Sequence, residues 1–135
     1  MVTQEILHKC RLAKGAKGFM AWKIDLSKAY DKLNWQFIEQ VLYEIQLPPM
    51  LIKLNMSCVT TVSYQIIVNG ELSNHFSAGR GIRQCDPLSP YLFVLCMEKL
   101  SHQINSAVDF GQWKPIASSQ SGPSVFHLFF ADDLI

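Results

Sequence analysis

Asn69-Gly70, set between the strand-like runs Val62–Val68 and Glu71–Ser77, is the strongest short hairpin signal in the chain. A two-residue turn joins only antiparallel neighbours, because parallel strands need a crossover of a dozen residues or more. The helical patterns around the hairpin then predict an α+β layer of antiparallel sheet packed on helices, rather than a doubly wound parallel sheet. Asn34 is placed to cap a helix through about Ile45, where Phe37, Ile38, Val41, Leu42 and Ile45 recur at helical spacing. Pro48-Pro49 ends it, and Pro49 can open the next helix, through about Cys58.

The remaining elements follow the same logic. Thr3–Ala13 reads as a helix, broken by Lys14-Gly15-Ala16-Lys17-Gly18. Gly18–Leu26 reads as a buried strand carrying Phe19, Met20, Ala21, Trp22 and Ile24, and Ser27–Asp31 as a turn or short helical element. Gly79 and Gly81 frame a loop before Pro87, Pro90 and a long helix through about Ser106. Phe110–Gly122 is a polar connection, and Val125–Phe130 a final strand whose hairpin partner is expected beyond Ile135. On this pattern the sheet is truncated and the chain is part of a domain.

Composition narrows the functional classes. Of the 135 residues, 49% are hydrophobic and 17% charged, which predicts a packed core rather than disorder. The longest apolar run, Tyr91–Met97, is too short to cross a bilayer, and no leader opens the chain, so an intracellular location, nucleus or cytoplasm, is expected. The four cysteines and four histidines show no zinc-ligand spacing. A net charge of +1 gives no global sign of a nucleic-acid binder. Residues 1–35 are nonetheless basic, with Lys9, Arg11, Lys14, Lys17, Lys23, Lys28 and Lys32 against Glu5, Asp25 and Asp31. That region can face phosphates, although solvated surface charge explains it equally well.

Three blocks carry chemistry. In Phe129-Phe130-Ala131-Asp132-Asp133, adjacent carboxylates close an apolar strand, where they repel each other unless one is protonated or a cation joins them. A hard cation such as Mg²⁺ meets that need, and a solvated acidic turn is the plainer reading. Upstream, Asp25 closes another apolar strand. If the two strands are neighbours, Asp25, Asp132 and Asp133 meet at one sheet end and could hold two divalent ions roughly 3.5–4 Å apart. The third block, Gly79-Arg80-Gly81-Ile82-Arg83-Gln84-Cys85-Asp86-Pro87-Leu88-Ser89-Pro90, joins a glycine-rich backbone to a helix start near Pro87. Such a loop suits a nucleotide or phosphodiester, and equally an ordinary loop capping a core helix, with Asp86 as its N-cap.

Taken in order, Gly18–Asp31, Gly81–Phe93 and His127–Ile135 resemble the palm of a reverse transcriptase of the non-LTR (LINE-like) retrotransposon type, particularly the plant lineage. The resemblance covers essentially the whole chain and implies a partial reverse transcriptase domain over 1–135, the end of the fingers and the palm core, without thumb, endonuclease or RNase H module. It implies a palm-like antiparallel sheet packed on helices and truncated at both ends. Asp25 and Asp132 would be the principal ligands for two Mg²⁺ ions, with Mn²⁺ as substitute, and Asp133 the supporting carboxylate. Tyr30 matches the aromatic gate that selects dNTPs over rNTPs, a core tyrosine being the alternative. Gln84 matches a residue lining the dNTP pocket, and Arg83 the basic residue before it. Pro87, Ser89 and Pro90 would shape the helix start beneath the template strand, or serve structure alone; Asp31 more often serves structure in the family.

The implied partners are an RNA template, a DNA primer and dNTPs, together with the missing fingers and thumb segments of a longer polyprotein, and no membrane. The family usually has glycine where this chain has Cys85, a position where glycine lets backbone approach substrate or adopt a positive φ. Besides the polymerase, two readings remain: an inactive retroelement relic with at most weak nucleic-acid binding, and a different module holding Mg²⁺ and phosphate on an Asp pair.

Overall fold

The computed structural model describes residues 21–114, 116–117, 124–130 and 133–135, together with Gln4, His8 and Arg11, which are helical. The rest of the helix expected over Thr3–Ala13, and the strand before residue 21, lie outside the described residues. The chain forms two compact units, 28–99 and 1–27 with 100–135. It is a mixed α+β fold with helices and antiparallel sheet segments.

In unit 28–99, α1 (Ala29–Lys32) leads into α2 (Trp35–Glu44), α3 (Pro49–Thr60) and α4 (Ser89–Asp109), the last continuing past Lys99. Asn34 caps α2 as expected, its side chain accepting from the Gln36 amide at 2.7 Å. Ile38, Val41 and Leu42 of α2 pack with Ile52 of α3 and with Ile82, Leu92, Phe93 and Cys96 in one buried cluster. Ile45, expected on that apolar stripe, lies past the end of α2 and is exposed. Burial pushes the Cys96 thiol up to about 11, so it stays protonated at neutral pH. Lys99 closes the far end of α2 through Glu44, and with Gln40 it holds that carboxyl below its ordinary range.

The hairpin forms around Asn69 (φ 52) and Gly70 (φ 88), the two positive angles a tight antiparallel turn requires. Its strands are interrupted, unlike the continuous runs expected. Next to the turn, β3 (Ile67–Val68) pairs β4 (Glu71–Leu72); at the base, β2 (Ser63–Tyr64) pairs β5 (Phe76–Ser77). Two residues separate β2 from β3 and three separate β4 from β5, so the returning strand carries one extra residue, a bulge. Ser73 repairs the break. Its hydroxyl accepts from the Ile66 amide at 2.9 Å, and its own amide donates to the Ile66 carbonyl at 2.8 Å.

In the other unit, β1 (Ile24–Asp25) pairs antiparallel with β9 (Asp133–Leu134), which also pairs with β8 (Phe129–Phe130). This corrects three expectations. The partner of β8 is present, because residues 133–134 turn back and Leu128 and Ile135 exchange both backbone bonds at 2.8 and 3.0 Å. The run expected as one strand over Val125–Phe130 is two, with β7 (Ser124–Val125) pairing β6 (Ile116–Ala117), which lies in the polar connection expected over Phe110–Gly122. The strand expected over Gly18–Leu26 is confined, among the described residues, to Ile24–Asp25. It is not buried: Trp22 is 65% and Ile24 41% exposed, consistent with β1 lying at the edge of its sheet. Ser101 of α4 and His127 share a hydrogen bond of 2.8 Å, which ties the approach to β8 onto the helix.

Candidate active site

Asp25 stands directly opposite Asp133 across the β1–β9 ladder. The two aspartates, about a hundred residues apart in sequence, thus face each other across one ladder. Asp132, the other half of the acidic pair, lies outside the described residues. Facing carboxylates on one ladder destabilise it unless positive charge joins them. Lys23 supplies such charge, its Nζ 3.2 Å from the Asp133 Oδ1. Sequence reasoning gave Lys23 only a share in a basic amino-terminal region. Its spacing of two from Asp25 puts both residues on the same side of an extended segment, a signal that could have singled it out. No group of three or more His, Cys, Asp or Glu suited to a metal occurs among the described residues.

The second cluster lies within unit 28–99. Gly81 and Ile82 donate their amides to the carbonyls of Leu33 and Tyr30, at 2.7 and 2.9 Å, and the Trp35 indole donates to the Gly81 carbonyl at 2.7 Å. The loop before α4 is thereby fastened to α1 and its exit. The half-buried Tyr30 ring stacks on Phe93 at 4.9 Å, which gives it the core contact weighed as the alternative to a gate. A cleft of about 310 Å³ opens beside this junction, lined by Trp35, Tyr64, Phe76, Arg80, Arg83 and Asp86 among others. Of the three residues expected to face a nucleotide, Arg83 lines this cleft. Gln84 occupies the exposed turn with Cys85, and Tyr30 is turned to Phe93.

Asp86 does not cap α4 directly. Its carboxylate accepts from the Leu88 amide at 2.8 Å and its carbonyl from the Ser89 amide at 3.2 Å, making a turn of Pro87-Leu88 before the helix begins. The helix starts at Ser89, two residues after Pro87, with Ser89 buried and Pro87 and Pro90 exposed.

The family model for the reverse transcriptase (RNA-dependent DNA polymerase) matches residues 2–135. The chain belongs to that family. Two insect retrotransposon proteins are similar to this chain at 29% identity. The retrovirus-related Pol polyprotein from the type-1 element R2 of Popillia japonica aligns over 127 residues, 94% of this chain and 20% of that protein. The corresponding polyprotein from the type-2 element R2DM of Drosophila melanogaster aligns over 112 residues, 83% of this chain and 10% of that protein. An uncharacterised mitochondrial protein of Arabidopsis thaliana is 46% identical over 67 residues, 50% of this chain and 55% of its own length. The chain thus spans about half the plant protein and a fifth or less of the insect ones.

Within the loop before α4, Cys85 adopts φ 64, the left-handed conformation glycine tolerates best. Its side chain is exposed, so no burial of sulfur offsets the strain. Cys85→Gly should therefore raise stability by about 0.5–1 kcal/mol, the relieved strain outweighing the greater unfolded-state freedom of glycine. Urea denaturation of the two proteins checks the sign.

Proposed function

We propose that the chain is the palm core, with the end of the fingers, of an RNA-directed DNA polymerase from a non-LTR, LINE-type retrotransposon of plant lineage. The observation that carries this is Asp25 directly opposite Asp133 in a chain that matches the reverse transcriptase family throughout. The match at 46% identity to a plant protein supports the lineage. Asp25 and Asp133 are hard oxygen donors that need a cation between them, so the residues present fit Mg²⁺, with Asp132 expected beside Asp25 as a principal ligand and Asp133 as the supporting carboxylate. When bound, the metal ions would activate a primer 3′-hydroxyl and neutralise the leaving pyrophosphate.

The chain's own residues would position the reactants. Arg83 would draw the triphosphate toward the loop through charge-assisted hydrogen bonds, and Gln84 would meet the dNTP from the adjoining turn. Tyr30, braced by Phe93, would present its ring against a 2′-hydroxyl. The buried Ser89 with Pro87 and Pro90 would hold the helix start on which the template strand lies. Primer extension on an RNA template with a DNA primer, dNTPs and Mg²⁺ tests the reading. Incorporation abolished by EDTA is expected, and none with either Mg²⁺ or Mn²⁺ would overturn it.

One observation favours a second reading, an inactive retroelement copy that keeps the fold. The loop that should approach the dNTP carries a Cβ and a sulfur at a left-handed residue. If that alone blocks the chemistry, Cys85→Gly restores incorporation to a chain that otherwise shows none.

A further inference from the structure

In a strand successive side chains point to opposite sides, so Lys23 and Asp25 share one side of the extended segment that ends in β1. Asp133 is directly across from Asp25, and the Lys23 ammonium reaches diagonally to it, 3.2 Å from Oδ1. Among the described residues, this part of the small sheet therefore carries two facing carboxylates and one ammonium. The ammonium sits on a flexible four-carbon stem and is largely exposed, so it can withdraw without unpacking anything.

We propose that Lys23 is the resident counter-ion of the Asp25–Asp133 pair, lowering the repulsion between them in the metal-free protein and yielding when a divalent cation binds. Lys23 is then a positioning residue that sets how tightly, and with what salt sensitivity, the pair takes its metal. The inference rests on the metal-binding reading of that pair given above. The same charge that steadies the empty carboxylates repels an incoming cation. Removing it should tighten metal binding and loosen the metal-free sheet together.

The test is Mn²⁺ titration of the full chain, followed by the free-ion electron paramagnetic resonance signal at low and high salt, with melting temperatures measured with and without Mn²⁺. Lys23→Met is expected to bind Mn²⁺ about three- to tenfold more tightly than the parent at low salt, the gap closing as screening rises. It should melt lower without metal and gain more on adding it, while Lys23→Arg restores the parent's behaviour. Lys23→Gln makes the same charge change with a polar head, and serves if the methionine variant folds poorly. Suppose the parent binds Mn²⁺, Asp25→Asn weakens that binding, and neither neutral variant tightens it. Then Lys23 forms only a surface ion pair and this proposal falls alone. Absence of Mn²⁺ binding in the parent and every variant would remove the metal reading and this inference together.

Discussion

Gly81→Ala should lower stability by about 2–4 kcal/mol, a fall of roughly 10 °C in melting temperature. Two penalties act together. Gly81 adopts φ +87, which an alanine reaches only under strain. A Cβ there would also lie 2.8 Å from the Asp31 carbonyl oxygen and 3.0 Å from the Asp31 Cα. Those are backbone atoms, and the hydrogen bonds from Gly81 and Ile82 to Leu33 and Tyr30 keep them from retreating. The smaller unfolded-state freedom of alanine returns only about 0.4–1 kcal/mol. Gly79 is the control, since a Cβ added there would meet nothing within 4 Å and its φ is ordinary. Gly79→Ala should stay within about 0.5 kcal/mol of the parent. Equal urea midpoints for the two variants would show that the loop is not held against α1.

Asp25→Asn should reduce nucleotide incorporation by about a thousandfold while leaving the fold intact. A metal ligand contributes several kcal/mol of transition-state stabilisation, and each 1.36 kcal/mol is a factor of ten in rate. Asparagine keeps the shape of the side chain and removes its charge. The facing Asp133 then meets no like charge, so the metal-free melting temperature should hold or rise. Lost activity with undiminished stability separates a ligand from a structural carboxylate. Primer extension beside a thermal melt reads both, and full activity in the variant would remove Asp25 from the metal site.

The parts of the fold that were legible in the sequence are those specified locally. Asn34 caps α2 with its own side chain, and Asn69-Gly70 turns through its own dihedral angles. The nearness of Asp25 to the Asp-Asp pair was conditional on two apolar strands being neighbours; β9 lies between β1 and β8 instead, and it is Asp133 on β9 that faces Asp25. What escaped were features defined by a partner. Each observed strand is two residues long, too short for a period-two pattern to register. Ile116–Ala117 is a strand because Ser124–Val125 lies beside it, and Asp133–Leu134 because Phe129–Phe130 does. Asp86 is not the N-cap of α4 because its carboxylate is spent on the Leu88 amide, in a turn that the Pro87 signal resembles. Trp35 and Phe93 carried no assigned role in the sequence, and only the structure shows one holding Gly81 and the other stacked on Tyr30.

The β1–β9 ladder also has a kinetic side. Its two strands come from opposite ends of the chain, so the pairing encloses a loop of about a hundred residues whose closure costs ~4 kcal/mol of chain entropy. Contacts of such long range form slowly, after local helices and the Asn69-Gly70 hairpin have condensed. On a ribosome the wait is longer still, because Asp133 emerges about a hundred residues after Asp25. The carboxylate pair is therefore assembled late, once the local elements between its two strands in sequence have formed.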